Sequence, residues 1–317
     1  MNIQLGVVMD SISQIDIAKD STLAMLLAAQ QRGCQLVYLE PTDIFYQNGT
    51  VFGQMRALQV QDDAQHWFTL STLQEQPLAS LDVLLLRKDP PFNMEYIYLT
   101  YLLELAQQQG LKVVNDPRSV RDANEKLFAA QFPHCCPPTL VTRDPARLRA
   151  FIGQYPCVIA KPLDGMGGQS IFRIEQQDPN AAVILETLTH QGHTTVMLQQ
   201  YLPEIMTTGD KRILLINGEP TIDHGLARMP QPGDVRGNLA AGGRGIAQPL
   251  TERDRWLCQQ VGPTLRQKNL MFVGLDVIGD YITEINVTSP TCIRQLDAQC
   301  GADIGGDFIE FILTLLD

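Results

Sequence analysis

The sequence predicts an N-terminal α/β domain followed by an α+β region with antiparallel sheets. Apolar strands alternate with amphipathic helices through residues 1–122, the pattern of a mainly parallel sheet covered by helices. Beyond this point the predicted strands lie closer together and include two hairpins, which favours antiparallel pairing. A chain of 317 residues is long enough for two or three compact units with a cleft between them.

The elements of the N-terminal part follow one another as strands joined by helices. Strands are predicted at IQLGVVM, CQLVYLE, LDVLLLR and LKVVND, and helices at DSTLAMLLAAQQRG and YLLELAQQQG. Asp20 or Ser21 is predicted to cap the first helix, and Gly33 to end it. Because parallel strands need crossover connections, this order predicts a parallel sheet.

A change of pattern near residue 117 marks the end of the N-terminal domain. One helix is predicted over RSVRDANEKLFAAQF, and the prolines of PHCCPP end it. Strands at CVIAKPL, QSIFRIE and TVMLQQYL then alternate with helices at PARLRAFIGQY and around residues 181–189. We therefore divide the chain into an N-terminal domain (1–122), a central subdomain (123–202) and a C-terminal subdomain (203–317).

Two hairpins and a long polar loop occupy the last third of the chain. The hairpins are KRILLINGEPT, with Asn217-Gly218 at its turn, and FVGLDVIGDYITEINVT, with Gly279-Asp280 at its turn. Between them, MPQPGDVRGNLAAGGRGIAQPL has no apolar period and is too long for a simple connector in a compact domain. We interpret it as a functional loop.

Composition narrows the classes of function. The net charge of −11 argues against non-specific binding to nucleic acid or to an anionic membrane, so local lysines and arginines must hold any anionic ligand. No apolar run approaches the roughly 20 residues that span a bilayer, and the N-terminus does not resemble a signal peptide, which predicts a cytoplasmic protein. The seven scattered cysteines include no CxxC pair, which favours reduced thiols.

A glycine-rich stretch after a buried strand is a candidate phosphate site. KPLDGMGGQS (161–170) follows the apolar run CVIA, and it fits neither the P-loop nor the GxGxxG pattern. Lys161 at the strand end can supply positive charge, and glycine backbone N–H groups can fold over phosphate oxygens. From these residues alone, a simple glycine turn is an equal alternative.

Three oxygen-bearing side chains on the second hairpin form a candidate metal site. Glu284 and Asn286 are two residues apart in a strand and share one face, and their oxygens suit Mg²⁺. Asp276 joins them only if the turn is three residues long or the strand pair is bulged, because pairing Ile278 with Tyr281 otherwise turns Asp276 to the opposite face. The alternative is a set of solvated polar residues on an open sheet.

Several cations could meet an oxyanion or a phosphate. Each alone is more often a surface charge, and their spacing does not bring them together. They are Lys126, Lys211, Arg212, Arg228, Arg236 and Arg244.

A series of short motifs runs along the chain: NEKL, AKPLDGMGG, QQYL, GDKR, LARMP, RGNLAAGGRG, GLDVIGD and TEINVTSPTCIR. Together with VVMDSI, KDST and RKDPPF in the N-terminal part, they resemble the motifs of the ATP-grasp ligases, and most closely those of the bacterial glutathione synthetases. The resemblance covers nearly the whole chain.

This resemblance implies a Rossmann-like N-terminal domain followed by a two-subdomain ATP-grasp fold that clamps ATP between antiparallel sheets. It implies that Lys126 and Lys161 contact the ATP phosphates and that Asp210 lies near the ribose. The glycine stretch that would close over the phosphates is Gly165, Met166, Gly167 and Gly168. The segment that would hold adenine is Gln199, Gln200, Tyr201 and Leu202.

The same resemblance implies roles for the remaining site residues. Lys161, Arg212 and Arg228 would be catalytic, the two arginines facing the transferred phosphoryl group and the substrate carboxylate. The metal ligands would be Asp276, Glu284 and Asn286, holding Mg²⁺ or, as an alternative, Mn²⁺. The substrate would be placed by Asn286, Ser289, Thr291, Arg87, Asp20 and Ser21. The loop from Met229 to Arg244 would act as a lid.

The implied reaction joins γ-glutamylcysteine to glycine at the expense of ATP. The cysteinyl carboxylate attacks the γ-phosphate to give an acylphosphate and ADP, and the glycine amine then displaces phosphate. No side chain need become a covalent nucleophile, which agrees with the lack of a Ser-His-Asp or Cys-His pattern. A homotetramer is also implied. The alternatives are an ATP-grasp ligase for another carboxylate and amine, and a catalytically silent ATP-binding regulatory protein.

Overall fold

Three β-sheets and eight α-helices form the part of the chain that the structure describes. The structure is a computed structural model, and it describes residues 3–165, 168–231 and 244–316. The sheets follow one another along the chain, so each third of the sequence forms its own sheet. Within the described ranges, no helix is both long enough and apolar enough to cross a bilayer.

The N-terminal sheet has a parallel centre, as the sequence pattern predicts. Its elements are β1 (Gln4–Val8), α1 (Ser21–Gln31), β2 (Gln35–Leu39), β3 (Ile44–Gln47), β4 (Thr50–Val60), β5 (Phe68–Leu70), β6 (Gln74–Pro77), β7 (Val83–Leu86), α2 (Met94–Gln108), β8 (Lys112–Val114) and α3 (Pro117–Asp122). Strands β2, β1, β7 and β8 lie side by side in parallel. The Asp20 side chain caps α1 by accepting a hydrogen bond from the N–H of Leu23 at 2.6 Å.

Four further strands extend this sheet in a region where sequence analysis predicts none. The long strand β4 pairs antiparallel with β2, and β3, β5 and β6 also pair with it. Burial mostly alternates along β4, so one of its faces carries solvent-accessible residues. The apolar residues in 44–77 are therefore divided among one half-exposed long strand and three short ones. Apolar periodicity in the sequence does not reveal such strands.

The helix predicted over RSVRDANEKLFAAQF is wrong beyond Asp122, where α3 ends. The side chain of Asn124 accepts hydrogen bonds from the backbone N–H groups of Lys126 at 3.1 Å and Leu127 at 2.9 Å. Local bonds of this kind compete with helical hydrogen bonds. Residues 124–127 therefore form a turn, which we call the NEKL turn.

The central sheet is antiparallel, with helices packed against it. Its elements are β9 (Thr139–Thr142), α4 (Pro145–Ile152), β10 (Cys157–Pro162), β11 (Phe172–Glu175), α5 (Ala181–Leu188) and β12 (Val196–Gln200). The strand order is β11-β10-β12-β9, and every neighbouring pair is antiparallel. Leu148 of α4 and Leu185 of α5 share a small apolar core with Val158 of β10. The antiparallel pairing predicted from the close strand spacing is confirmed.

The C-terminal sheet contains both predicted hairpins. Its elements are β13 (Asp210–Ile216), β14 (Glu219–Pro220), β15 (His224–Met229), β16 (Arg244–Pro249), α6 (Glu252–Gln267), β17 (Phe272–Ile278), β18 (Tyr281–Asn286), α7 (Ile293–Cys300) and α8 (Ile304–Thr314). The strand order is β16-β15-β13-β17-β18. The first hairpin turns at Asn217 (φ +49°) and Gly218 (φ +76°), the backbone that an Asn-Gly turn favours.

The loop predicted between the hairpins lies largely outside the described residues. Met229 and Arg244, which bound the predicted lid, are the last paired residues of β15 and β16. Residues 232–243, which include Arg236, fall outside the described ranges.

A buried asparagine joins the N-terminal domain to the C-terminal sheet. Asn115, which follows β8, is only 4% exposed. Its side-chain amide donates to the carbonyls of Phe272 and Val287, both at 2.8 Å, and its oxygen accepts from the N–H of Phe272 at 2.8 Å. One side chain thus completes the backbone hydrogen bonding at the ends of β17 and β18.

Replacing this side chain should weaken the whole protein. In Asn115→Ala, the backbone groups of Phe272 and Val287 lose their partners in a buried place, so we expect a loss of about 2–5 kcal/mol in the free energy of unfolding. Denaturant unfolding followed by circular dichroism measures it. Asn180→Ala, at an exposed asparagine whose side chain makes no capping bond, is the control and should change stability by less than about 0.5 kcal/mol. Equal losses in the two variants would contradict the assignment.

Candidate active site

A cavity of about 320 Å³ opens between the central and C-terminal sheets. Its size is typical of a small-molecule site. The structure brings many of the residues singled out from the sequence to its wall, although they are far apart in the chain. Those on the wall are Lys126, Lys161, Gly165, Gly168, Gln199, Gln200, Tyr201, Leu202, Asp210, Arg212, Arg228, Glu284, Asn286, Ser289 and Thr291. Met166 and Gly167 lie outside the described residues.

One end of the cavity is apolar and lies beside the end of β12. Ile159, Ile205 and Ile278 line it, and they come from the central sheet, the segment after β12 and the β17–β18 hairpin. Gln199 is held in place by donating from its side chain to the hydroxyl of Thr139 at 3.1 Å. The guanidinium of Arg173 lies 4.7 Å from the centre of the Tyr201 ring. A flat, apolar group with polar edges would fit this end.

Two buried lysines lie further along the same wall. Lys161 is 4% exposed, and its ammonium donates to the carbonyl of Thr283 at 3.4 Å, across the two sheets. Burial lowers the pKa of Lys161 from its usual value, although Glu284 opposes the change. Lys126 donates to the carbonyl of Gly165 at 3.0 Å and lies 3.8 Å from a carboxylate oxygen of Glu284. A bound anion could therefore replace the long contact of Lys161 with Thr283, or one of the contacts that Lys126 shares between Gly165 and Glu284.

A carboxylate between two arginines forms the centre of the C-terminal part of the site. The guanidinium of Arg212 donates to both oxygens of Asp276, each at 2.7 Å, and that of Arg228 lies 2.8 Å from the same carboxylate. Burial by itself would raise the pKa of Asp276, but the two arginines outweigh burial and lower it to about 2. Asp276 is therefore an anion at any physiological pH, and the two cations are fixed beside it.

Gly274 on β17 leaves room for the side chain of Arg212, which comes from the neighbouring strand β13. Gly274 lies opposite Asn286 in the β17–β18 pair. A Cβ atom at Gly274 would lie 2.9 Å from the Cβ of Pro290 and 3.3 Å from the Cδ of Arg212. Any larger residue would push either the arginine or the loop after β18 away from the cavity.

Asp276 was expected to share a face with Glu284 and Asn286 only if the turn is three residues long or the strand pair is bulged. The structure contains the bulge. Ile278 pairs with Tyr281 across a two-residue turn, and the register then shifts so that Asp276 pairs with Glu284. Thr283 is the extra residue. Because directly opposed residues share a face, Asp276 and Glu284 point the same way. The bulge also lets Ile282 and Ile285, three residues apart, both enter the core.

The oxygen-bearing side chains at the bulge suit a hard metal ion that a bound substrate also coordinates. In the described parts of the chain, no group of three or more His, Cys, Asp and Glu side chains is placed to hold a metal ion. Asp276, Glu284 and Asn286 offer two carboxylates and one amide, with the Asn286 amide 3.2 Å from Asp276. Mg²⁺ is commonly bound by one or two carboxylates together with substrate phosphates and water. Glu284 and Asn286, which line the cavity, therefore fit Mg²⁺ with phosphate oxygens as further ligands, whereas Asp276 does not line the cavity and would have to share its oxygens with Arg212.

Asp210 offers an unsatisfied acceptor to the cavity. One of its carboxylate oxygens bonds Arg228, but Oδ1 is buried and has no hydrogen-bond partner among the residues that the structure describes. Burial raises the pKa of Asp210 to about 6, with Arg228 opposing and Asp276 adding to the change. A buried acceptor without a donor is costly, and a ligand hydroxyl group would satisfy it.

Three of the predicted substrate residues lie behind the cavity wall. Arg87 donates to the hydroxyl of Thr22 at 3.0 Å and to the carbonyl of Pro290 at 3.0 Å. The hydroxyl of Ser21 accepts from the N–H of Ile293 at 3.1 Å. Arg87, Ser21 and Asp20 do not line the cavity; Arg87 and Ser21 bond the segment that carries Ser289 and Thr291, and Asp20 caps α1.

The scattered cations of the sequence do not all meet in the cavity. Lys211 lies between Asp210 and Arg212 in β13, so its side chain points to the opposite face, where it bonds Asp254 of α6 at 2.6 Å. Arg244 is exposed at the start of β16 and does not line the cavity. Lys211 and Arg244 therefore lie away from the cavity, in agreement with the expectation that spacing alone does not bring the cations together.

Among the wall residues that were not singled out from the sequence, two make contacts with the buried lysines. Glu125 precedes Lys126 in the NEKL turn, and Thr283 is the bulged residue whose carbonyl faces Lys161. Glu125 gave no signal because the predicted helix would have separated its side chain from that of Lys126. The signal for Thr283 was present in the spacing of Ile282 and Ile285, which a regular strand cannot bury on one face.

Comparison with known families identifies the chain. The family described as "Prokaryotic glutathione synthetase, N-terminal domain" matches residues 3–121, and "Prokaryotic glutathione synthetase, ATP-grasp domain" matches residues 125–301. The chain belongs to the prokaryotic glutathione synthetase family. The glutathione synthetase of Coxiella burnetii is 59% identical over 314 residues, covering 99% of this chain and 97% of that protein. The glutathione synthetase of Pseudomonas aeruginosa is 57% identical over 316 residues, covering 100% and 99%.

Solved structures that are distant in sequence share the fold. D-cycloserine synthetase DcsG superimposes with a TM-score of 0.70 at 15% identity, covering 99% of this chain and all of the other. D-alanyl-alanine synthetase A from Vibrio cholerae gives a TM-score of 0.61 at 14% identity, covering 99% and 98%. The resemblance to the glutathione synthetases and the mixed α/β fold with an ATP-grasp region are thus confirmed, and the chain is an ATP-grasp ligase of the glutathione synthetase type.

Removing the central carboxylate of this glutathione synthetase site should destabilise the fold. Asp276→Ala leaves the guanidinium groups of Arg212 and Arg228 buried without their shared anion, so we expect a loss of about 3–5 kcal/mol in the free energy of unfolding. Denaturant unfolding without ligands measures it. Glu219→Ala is the control, because it breaks a solvent-exposed pair with Arg266, and it should cost less than about 1 kcal/mol. If the two variants unfold alike, the ion pairs of Asp276 do not support the fold.

Proposed function

We propose that the chain joins γ-glutamylcysteine to glycine with ATP, through an acylphosphate, and releases glutathione, ADP and phosphate. The observation that carries the proposal is the meeting of two lysines, two arginines and Glu284 at one cavity, with Asp276 buried beside the arginines, in a member of this family. Each group has a charge or a hydrogen-bonding property that the reaction requires. The roles below are assigned on that basis.

ATP would lie along the cavity with its base at the apolar end. Gln199, Gln200, Tyr201 and Leu202 would hold adenine, and the free oxygen of Asp210 would accept a hydrogen bond from the ribose. Lys126 and Lys161 would contact the phosphates, whose charge the net acidic protein must balance locally. The stretch Gly165, Met166, Gly167 and Gly168 would close over the phosphates, since glycine lets the backbone N–H groups approach closely.

Mg²⁺, or Mn²⁺ in its place, would be held by Asp276, Glu284 and Asn286. When bound with ATP, such an ion neutralises charge on the phosphate oxygens. The protein's part is to keep the carboxylates on one face of the hairpin, which the bulge achieves. Arg212 and Arg228 keep Asp276 ionised, and a bound ion would share its oxygens with these two guanidinium groups.

The protein would promote both steps by position and charge. In the first step an oxygen of the cysteinyl carboxylate attacks the γ-phosphorus, and the bond to the ADP oxygen breaks. In the second step the glycine amine attacks the acyl carbon, loses a proton, and expels phosphate. Arg212 and Arg228 would face the transferred phosphoryl group, where permanent cations stabilise developing negative charge. Lys161 would add a third cation at the phosphate end.

The loop after β18 would place the dipeptide and the acylphosphate. Ser289, Thr291 and Asn286 line the cavity beside the arginines. Arg87, Asp20 and Ser21 would help to place the dipeptide through their contacts with this loop and with the start of α1. We propose in addition domain limits of 1–122, 123–202 and 203–317, a cytoplasmic location and a homotetramer, which the family resemblance supports.

The first test is turnover by the purified protein. ADP release is measured with Mg-ATP and γ-glutamylcysteine, with and without glycine, and the product is identified by mass spectrometry. We expect glycine-dependent ADP release and glutathione as product. Faster turnover with another carboxylate and amine would indicate a different ligase, and ATP binding without any turnover would indicate a regulatory protein.

The metal assignment predicts a specific loss in Glu284→Gln. The amide keeps the shape of the side chain but removes a charged oxygen ligand, so turnover at limiting Mg²⁺ should fall on the order of 100-fold, with partial recovery at high Mg²⁺. Steady-state ADP release over a Mg²⁺ titration measures this. Glu186→Gln, at an exposed site on α5, is the control and should match the parent protein. Unchanged Mg²⁺ dependence in Glu284→Gln would refute the ligand role.

A further inference from the structure

Glu125 is a partly buried acid in the cavity wall for which the proposed reaction has no role. Its side chain is 19% exposed, and its carboxylate bonds the ammonium of Lys126, the next residue in the chain. Its backbone carbonyl accepts from the N–H of Ile285 at 2.8 Å, which ties the NEKL turn to β18. The side chain and the backbone of Glu125 thus make separate contacts, and a side-chain substitution leaves the backbone contact in place.

The ammonium of Lys126 lies among three oxygen-bearing groups, two of them hydrogen-bonded to it and the third an ion-pair partner. One is Glu125, the second is the carbonyl of Gly165 at 3.0 Å, and the third is Glu284 at 3.8 Å. A lysine ammonium has three N–H groups and a flexible four-carbon stem, so it has no preferred direction of its own. Of these three groups, only Glu125 belongs to the same turn as the lysine.

The electrostatics agree with this geometry. Burial alone would lower the pKa of Lys126, but Glu284 and Glu125 outweigh burial and raise it. Burial and the nearby charge of Glu284 raise the pKa of Glu125, while Lys126 lowers it. The two side chains therefore stabilise each other in a place where either alone would be costly.

We propose that Glu125 is a positioning residue, which holds the ammonium of Lys126 between the glycine stretch and the metal-binding hairpin, in the place where ATP phosphates bind. The inference rests on the proposed function, because it takes Lys126 as a phosphate contact. A held lysine meets the phosphates without first losing its side-chain freedom, which favours ATP binding. Within the described residues, the hydrogen bonds and ion pairs of the Glu125 side chain join it to Lys126 and not to the residues assigned to γ-glutamylcysteine or glycine, so its effect should be confined to ATP.

The test is a double-mutant cycle on the KM for ATP. The variants are Glu125→Ala, Glu125→Gln, Lys126→Ala and the double variant of the two alanine changes, with Glu186→Ala as an exposed control. We expect Glu125→Ala to raise the KM for ATP about 10-fold, because a buried charged hydrogen bond is lost. Glu125→Gln should raise it less, since the amide oxygen still accepts from Lys126. The KM for γ-glutamylcysteine should change less than about 2-fold in all of these Glu125 variants.

The decisive comparison is made in the Lys126→Ala background. There, adding Glu125→Ala should change the KM for ATP by less than about 2-fold, because a residue that acts through Lys126 has no effect once the lysine is gone. A full 10-fold effect in that background, an unchanged KM in Glu125→Ala, or a lowered KM would each overturn the inference. A merely structural role would affect both backgrounds alike.

Failure of the proposed function gives a different result. Parent protein without glycine-dependent ADP release refutes the function itself, whereas Lys126→Ala with an unchanged KM for ATP refutes the phosphate role of the lysine and the inference with it. Thermal unfolding midpoints are recorded for every variant. If Glu125→Ala does not fold, the comparison of Glu125→Gln in the two backgrounds carries the test, because glutamine has nearly the same shape as glutamate.

Discussion

The arrangement of the site depends on one buried carboxylate shared by two guanidinium groups. Asp276 is on β17, Arg212 on the adjacent strand β13, and Arg228 on β15. Their ion pairs therefore connect three neighbouring strands and fix the register on the face that meets the cavity. Because a buried charge without a partner is far more costly than a buried pair, none of the three can change alone. The same constraint keeps two permanent cations at the place where we propose that phosphate is transferred.

The cavity must accept a strongly anionic nucleotide although it already contains several acids. Asp210, Asp276 and Glu284 would repel phosphates if they were not matched by cations. In the C-terminal sheet, Arg228 pairs with Asp210 and Asp276, and Arg212 pairs with Asp276. At the junction of the sheets, Lys126 and Lys161 lie near Glu284, and Glu125 adds a further negative charge beside Lys126. Binding of a phosphate would thus exchange partners among existing charges, which costs less than burying new ones.

Sequence patterns predicted the elements whose signals are local. The Asn217-Gly218 turn, the cap at Asp20 and the close strand spacing each have a cause within a few residues, and the structure contains all three. The helix over residues 118–132 was wrong because the Asn124 side chain competes for backbone N–H groups, which helix periodicity does not reveal. Strands in residues 44–77 were missed because their partners are distant in the chain. The contacts of the site share this property, so motif resemblance was needed to predict them.

The bulge at Thr283 shows that one extra residue in a strand can decide which side chains lie on the same face, although the sheet keeps its strand order. It turns Glu284 to the face of Asp276, and it presents the Thr283 carbonyl to Lys161 on the other sheet. The hydroxyl of Thr283 also donates to the carbonyl of Asp276 at 3.2 Å, which closes the bulge on itself. A regular hairpin would keep the fold and the turn between Ile278 and Tyr281, but it would place Asp276 and Glu284 on opposite faces. The metal site that we propose therefore requires a local departure from regular pairing, and the burial of Ile282 and Ile285 on one face stabilises that departure.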